Sequence, residues 1–325
     1  NKSSWNYWRK DLMAIDKKFI DQFINVTSKA ALASSYLIGK KDKIAADKAA
    51  VDSMRKELNK IDMRGEVVIG EGTLDEAPML YTGEIVGTEN GLNFDIAIDP
   101  VEGTNFVANN LPGSISVLSI AEKGNLFKAP ETYMDKIATG KIDKGLIDLD
   151  FPLKKNIKNL SEFKNKDISS LTVCLLDRPR HKKIIDKLNA LGVRLKLITD
   201  GDVSGALLVT NEKYNVDLFL GIGGGPEGVL AASALDTFNC FFQGKFLFDS
   251  IEEKEMARNL GIKDFKKKYE LNEIVSGDSI FCATGITSGD IVSGIKKNNN
   301  EFELETFVTH KSMGVRKIVK TKYKI

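Results

Sequence analysis

Residues 171–236 alternate short apolar runs with segments of helical periodicity, and no other feature of the chain constrains its fold as tightly. The runs at 171–176, 193–198 and 216–221 read as strands, and 181–191, 203–209 and 226–236 read as helices. Such alternation builds an α/β architecture in which the loops at the strand ends carry the chemistry. Upstream, Phe19, Ile20, Phe23, Ile24, Val26 and Ala30 recur at helical spacing until Gly39. Asp42 then caps a second helix over 43–59, with Ile44, Ala45, Val51, Met54 and Leu58 as its expected buried stripe. Strands are expected at 65–70, 94–98 and 114–121, and again at 279–283, 302–308 and 315–323. The segment 125–159 has little pattern and reads as a long excursion, with a boundary near residue 165 and no internal repeat.

At the end of the 94–98 run comes Asp99-Pro100-Val101-Glu102-Gly103-Thr104. Two carboxylates three residues apart, turned by Pro and Gly, gather hard oxygen donors of the kind that hold Mg²⁺ or Mn²⁺, with a hydroxyl beside them. The same residues also suit a plain surface turn. Other acidic groups stand at strand or helix ends: Glu71 between Gly70 and Gly72, Asp200 and Asp202 around Gly201, and Glu227 behind the glycines 223–225. Glycine at these places lets a phosphate or metal approach the backbone closely. Asp47 lies among alanines on the second helix, where a lone Asp is more often simply exposed, and Asp95 sits within a strand. Arg178-Pro179-Arg180-His181 follows a strand and opens a helix, so both guanidiniums are available to one anion.

Other chemistries compete for these residues. Gly223 to Gly228 satisfies G-x-G-x-x-G, but it is not at a first βα turn, and the segment 241–248 makes a poor second strand of a dinucleotide unit. Cys174 and Arg180 have the C-x5-R spacing of cysteine phosphatases, yet Cys174 lies inside an apolar run with no glycine-rich loop. Asp200-Gly201-Asp202 is similar to an aspartyl-phosphate loop, a rival that leaves residues 99–104 unexplained. Composition excludes more. With 47 Lys and Arg against 45 Asp and Glu, the net charge is +2, and there is no basic block with interleaved aromatics to suit nucleic acid. The basic stretch 311–322 reads as an edge strand with a solvated face. No apolar run reaches membrane-span length, and residues 1–12, with Trp5 and Trp8, lack the apolar core of a signal peptide. Three cysteines in apolar runs suggest buried, reduced thiols in a cytoplasmic protein, and two histidines leave any metal to carboxylates.

Taken together, VIGEGTLDEAPMLYTGE (68–84), DIAIDPVEGTN (95–105), RPRH (178–181), DGDV (200–203), GIGGGPEG (221–228) and FCATGIT (281–287) resemble the class II, GlpX-type fructose-1,6-bisphosphatases. The Asp-Pro-x-Glu-Gly-Thr turn is similar to the Asp-Pro-x-Asp-Gly-Thr signature of the wider inositol-phosphatase and fructose-bisphosphatase superfamily. The resemblance implies a layered α-β-α-β-α fold with an N-terminal metal-binding α+β half over 1–165 and a C-terminal α/β substrate-binding half over 166–325. It implies hydrolysis of the 1-phosphate of fructose 1,6-bisphosphate with Mn²⁺ or Mg²⁺. Asp47 and Glu71 are then expected to hold one metal and Asp99, Glu102 and Glu227 the other. Thr104 would polarise the attacking water with Asp75 as its partner, and Lys43 would offset negative charge. The substrate would be lined by Glu102, Gly103, Thr104, Tyr133, Arg178, Pro179, Arg180, Asp200, Gly201, Asp202 and Gly224. Arg178 stands where the family often has Lys, and Gly225 where it often has Ala. A related sugar bisphosphate, sedoheptulose 1,7-bisphosphate, and a homodimeric or homotetrameric assembly are further expectations of the resemblance.

Overall fold

Successive side chains of a strand point to opposite faces, and in this chain the two faces feed different cores. The computed structural model describes residues 14–72 and 79–325. Helices α1 (Lys18–Ser35) and α2 (Lys43–Leu58) come first. The Asp42 side chain accepts a hydrogen bond from the Ala45 N–H at 2.9 Å, capping α2 as expected. Ile44 is exposed rather than buried, because the inward stripe of α2 runs through Ala46, Ala50, Val51, Met54 and Leu58.

Strands β1 (Met63–Ile69), β2 (Ile85–Val86), β3 (Leu92–Glu102) and β4 (Ile115–Glu122), with the short α3 (Thr104–Asn109), begin the first sheet. The chain then builds a second sheet from β5 (Tyr133–Thr139), β6 (Thr172–Leu176), β7 (Arg194–Ile198), β8 (Leu218–Gly224), β9 (Phe241–Leu247) and β10 (Lys268–Glu270), in the order β10-β9-β5-β8-β6-β7. Between these lie α4 (Leu153–Lys164), α5 (Lys182–Leu191), α6 (Asp202–Leu207), α7 (Gly225–Thr237) and α8 (Ile251–Asn259), and α9 (Leu271–Ile274) follows. Finally β11 (Ser279–Gly285), β12 (Lys296–Asn298), β13 (Glu301–His310) and β14 (Val315–Lys324) return to the first sheet, whose order is β12-β13-β11-β4-β3-β1-β2 with β14 on β13. As the sequence suggests, β14 is an edge strand with a largely solvated face.

Ile96, Ile98, Ile280 and Cys282 face α1 and α2, whereas Ala97, Phe281 and Ala283 face a central core shared with the second sheet. In β8, Phe219 joins that central core while Leu218 and Leu220 turn outward to meet Ile157 and Leu160 of α4 and Leu188 of α5. The central layer is made mainly by α7, which packs against strands of both sheets. That location explains its composition: Val229, Leu230, Ala231, Ala232, Ala234 and Leu235 are apolar around the whole helix, and the small residues let both sheets come close. The result is the expected α-β-α-β-α layering.

The segment 125–159 is not an excursion. It contains β5, which pairs with β8 on one side and β9 on the other. Asp135 and Lys136 interrupt its apolar pattern and hide a central strand. Sheet membership therefore changes between β4 and β5 and again between β10 and β11, rather than once near residue 165. Among the described residues no helix is long and apolar enough to cross a membrane.

Candidate active site

Both sheets deliver their strand ends to one cleft. In the first, β3 loses regular register against β4 between Asp99 and Glu102, where Pro100 has no N–H to give to the ladder. Gly103 then takes φ of +79° to start α3, and a Cβ there would lie 2.6 Å from the Phe106 ring, so both conformation and space require glycine. Thr104 is the first residue of α3 and is partly buried. Glu71 follows the end of β1, and its carboxyl group is hydrogen-bonded to that of Asp47 on α2. From the second sheet, β8 runs into α7 through Gly223 and Gly224, and Glu227 stands in the first turn of α7. A Cβ on Gly223 would meet the Asp202 carboxylate and one on Gly224 the Glu227 carboxylate. The glycine run thus makes room for two carboxylates, and no dinucleotide role is needed to explain it.

Two adjoining cavities result. One, of about 340 Å³, has Glu71, Asp99, Glu131 and Glu227 in its wall. The other, of about 260 Å³, is walled by Glu102, Tyr133, Arg178, Arg180, Asp200 and Asp202, with Asp99 and Glu227 common to both. A larger apolar cavity of about 620 Å³ lies beyond the 200–204 loop, but it holds neither the arginines nor the carboxylate ring.

The ring is short of positive charge. Burial, then Glu102, Glu71, Glu227 and Asp47, push the Asp99 carboxyl well above the ordinary range. Burial raises Asp47, and burial together with Asp47 and Glu131 raises Glu71. Burial also raises Glu227, with Lys136 opposing it. Glu102 is pushed up to about 8 by burial, although its carboxylate accepts from Val203 N–H at 2.5 Å, Ser204 N–H at 3.1 Å and the Ser204 hydroxyl at 2.6 Å. Among the described residues no three acidic, His or Cys side chains form a closed coordination sphere. Carboxylates that repel one another spread around a cavity instead, and this oxygen-rich, under-neutralised ring fits hard divalent cations.

The cavity walled by Arg178 and Arg180 carries the cations. Arg180 stacks on the Tyr133 ring at 4.8 Å and donates from Nε to the Ile222 carbonyl at 2.9 Å. Pro179 opens the 3₁₀ turn that holds the arginines, and buried His181 closes it. His181 Nε2 accepts from the Ile222 N–H at 2.8 Å while Nδ1 donates to the Leu176 carbonyl at 2.6 Å. Gly201 takes φ of +88° at the start of α6. Asp202, expected as a substrate residue, is ion-paired with buried Lys136, which also donates to the Gly224 carbonyl at 2.7 Å. Lys43 is exposed at the start of α2, and Asp75 lies outside the described residues. Sequence reasoning missed Glu131 in the cavity wall, and Lys136 and Ser204, which bond the wall carboxylates Asp202 and Glu102. Cys174 is buried in β6 with its thiol pushed up to about 12 by burial, which removes the cysteine-nucleophile alternative.

A carboxylate ring fused to an arginine-lined cavity, between the two sheets of a five-layer α/β fold, defines a divalent-metal phosphohydrolase. The family model for bacterial, glpX-encoded fructose-1,6-bisphosphatases matches residues 17–323. The chain is 41% identical over 319 residues to the D-fructose 1,6-bisphosphatase class 2/sedoheptulose 1,7-bisphosphatase of Synechococcus sp. (strain JA-2-3B'a(2-13)), covering 90% of this chain and 92% of that protein. It is 41% identical over 317 residues to the fructose-1,6-bisphosphatase class 2 of Haemophilus influenzae, covering 93% and 95%. A solved inositol monophosphatase from Anabaena (Nostoc) sp. PCC 7120 is more distant, at 14% identity and a TM-score of 0.31 over 59% of this chain and 69% of that one. The chain belongs to the glpX-type, class 2 fructose-1,6-bisphosphatase family of phosphoric monoester hydrolases.

Proposed function

We propose that the protein releases the 1-phosphate of fructose 1,6-bisphosphate to give fructose 6-phosphate, a gluconeogenic reaction, in the cytoplasm and as a homodimer or homotetramer. The observation that carries this reading is the pair of cavities sharing Asp99 and Glu227, with the arginines confined to one of them. A substrate with two phosphates suits that division: one lies at the acidic ring and the other reaches Arg178 and Arg180.

Asp47 and Glu71 would hold one Mn²⁺ or Mg²⁺, and Asp99, Glu102 and Glu227 the other. When bound, such cations neutralise the phosphate, polarise phosphorus and lower the pKa of water. Thr104, aided by Asp75, holds the attacking water in line, and Lys43, one helical turn before Asp47, offsets negative charge near the first metal. Arg178 and Arg180 bind the far phosphate, with Tyr133 fixing the plane of the Arg180 guanidinium. Pro179 fixes the turn, Gly103, Gly201 and Gly224 keep space open for the sugar, and Asp200 and Asp202 accept its hydroxyls. Glu102 ties the ring to this loop through its bonds to Val203 and Ser204.

The Synechococcus relative's double name favours sedoheptulose 1,7-bisphosphate as a second substrate. Phosphate release from a panel of sugar mono- and bisphosphates, with Mn²⁺ and with Mg²⁺, tests the assignment. Fructose 1,6-bisphosphate is expected to give the highest kcat/KM, and a preference for inositol phosphate or a sugar monophosphate overturns it.

A further inference from the structure

Beneath the substrate cavity lies a buried cation that no motif announces. Lys136 stands in the middle of β5, 1% exposed, on the strand face it shares with buried Met134 and Ala138. An ammonium in such surroundings is tolerated only where hydrogen-bond acceptors meet it. Two do: Oδ2 of Asp202, and the Gly224 carbonyl at 2.7 Å. Asp202 opens α6 and Gly224 ends β8, and both line the cavity that contains the two arginines. Lys136 therefore ties two separate loops into one wall.

This pairing divides the labour of the Asp202 carboxylate. Oδ2 is held by the ammonium in the space left by Gly223, where a Cβ would lie 2.7 Å from the Asp202 carboxyl carbon. No hydrogen bond within the described residues engages Oδ1, and Asp202 lines the cavity. A carboxylate with one oxygen pinned by a buried cation presents its other oxygen in a fixed direction, ready to accept a hydroxyl hydrogen.

We propose that Lys136 is a positioning residue for the sugar, holding Asp202 so that Oδ1 accepts a hydroxyl of the bound sugar phosphate. The inference rests on the sugar-phosphatase reading above and assigns Lys136 no contact with substrate. Its effect falls mainly on KM, through Asp202, with a smaller effect on the chemical step through its charge near Glu227.

A double-mutant cycle tests this. Lys136→Met, Asp202→Asn and the double variant are compared with wild type in steady-state kinetics at saturating Mn²⁺, with thermal melts of each. The substrate is whichever sugar phosphate the wild type turns over fastest. Lys136→Met is expected to lower kcat/KM about a hundredfold, mostly through KM. The double variant is expected to be no worse than Asp202→Asn alone, because the lysine acts through that carboxylate. Additive losses, or a loss confined to kcat, overturn the role. If Lys136→Met does not fold, the double variant, which leaves no buried unpaired charge, is compared with Asp202→Asn: equal KM supports the proposal, and a further rise of about tenfold overturns it. A wild type that prefers something other than a sugar bisphosphate overturns the substrate reading instead, and the cycle is still decided on the preferred sugar phosphate.

Discussion

Gly224→Ala separates the geometry of this site from the stability of its fold. Gly224 has φ of −61° and ψ of 142°, so alanine suits its backbone. Replacing glycine at a compatible position stiffens the unfolded chain and is worth about 0.4–1 kcal/mol in favour of the native state. The cost falls elsewhere. The new Cβ would lie 2.7 Å from Glu227 Cδ and closer still to Oε2, whereas real Cβ contacts essentially never fall below 3.0 Å. The obstacle is the end of a flexible side chain, so the helix need not move. The carboxylate must instead swing by more than about 1 Å, and misplacement on that scale costs roughly a hundredfold in rate. Gly224→Ala is therefore expected to melt within about 3 °C of wild type while kcat/KM for fructose 1,6-bisphosphate falls about a hundredfold. Differential scanning calorimetry and phosphate release on the same preparation measure both. Retention of kcat/KM within about twofold at full stability refutes the placement of Glu227 in the reaction.

Further outcomes follow from individual side chains. Burial holds His181 below its ordinary value of 6.5, and its neutral form accepts the Ile222 N–H. The stability it contributes is fully present above about pH 6.5 and is lost as pH falls through its lower folded value. The fall in Tm between pH 6.5 and 5 is expected to be shallower in His181→Gln than in wild type, and identical slopes refute this. Thr104→Ala is expected to lose roughly 10²–10³ in kcat with KM nearly unchanged, whereas Cys174→Ser keeps kcat within about twofold. Steady-state kinetics of the two variants side by side distinguish the hydroxyl from the thiol.

Legibility from sequence followed the range of the physics. The Asp42 cap, the α1 stripe and the 216–236 strand-to-helix passage rest on neighbours a few residues apart, and all appear within a few positions of the expected bounds. Glu71, Asp99 and Glu227 were conspicuous because a glycine or proline marks each strand end, and those three do line a common cavity. Local pattern alone reads Asp47 as an exposed helical acid, because its neighbour Glu71 comes from another element. Lys136 was invisible for the same reason: one lysine in Tyr133-Met134-Asp135-Lys136 reads as a solvated charge, and its partner Asp202 lies 66 residues away. The only local hint was that Lys136 shares its face with Met134 and Ala138. Asp135 and Lys136 hide the sheet exchange at β5 as well, since two adjacent charged residues erase the apolar signature of a buried strand.

The central claim is that a ring of buried carboxylates becomes a phosphatase only with divalent cations in it. Phosphate release from fructose 1,6-bisphosphate, measured after exhaustive chelation and again after Mn²⁺ or Mg²⁺ is restored, tests that claim most directly. Turnover is expected to vanish on chelation and to return with either metal, because the naked ring repels an anionic substrate. Undiminished turnover in the chelated protein contradicts it.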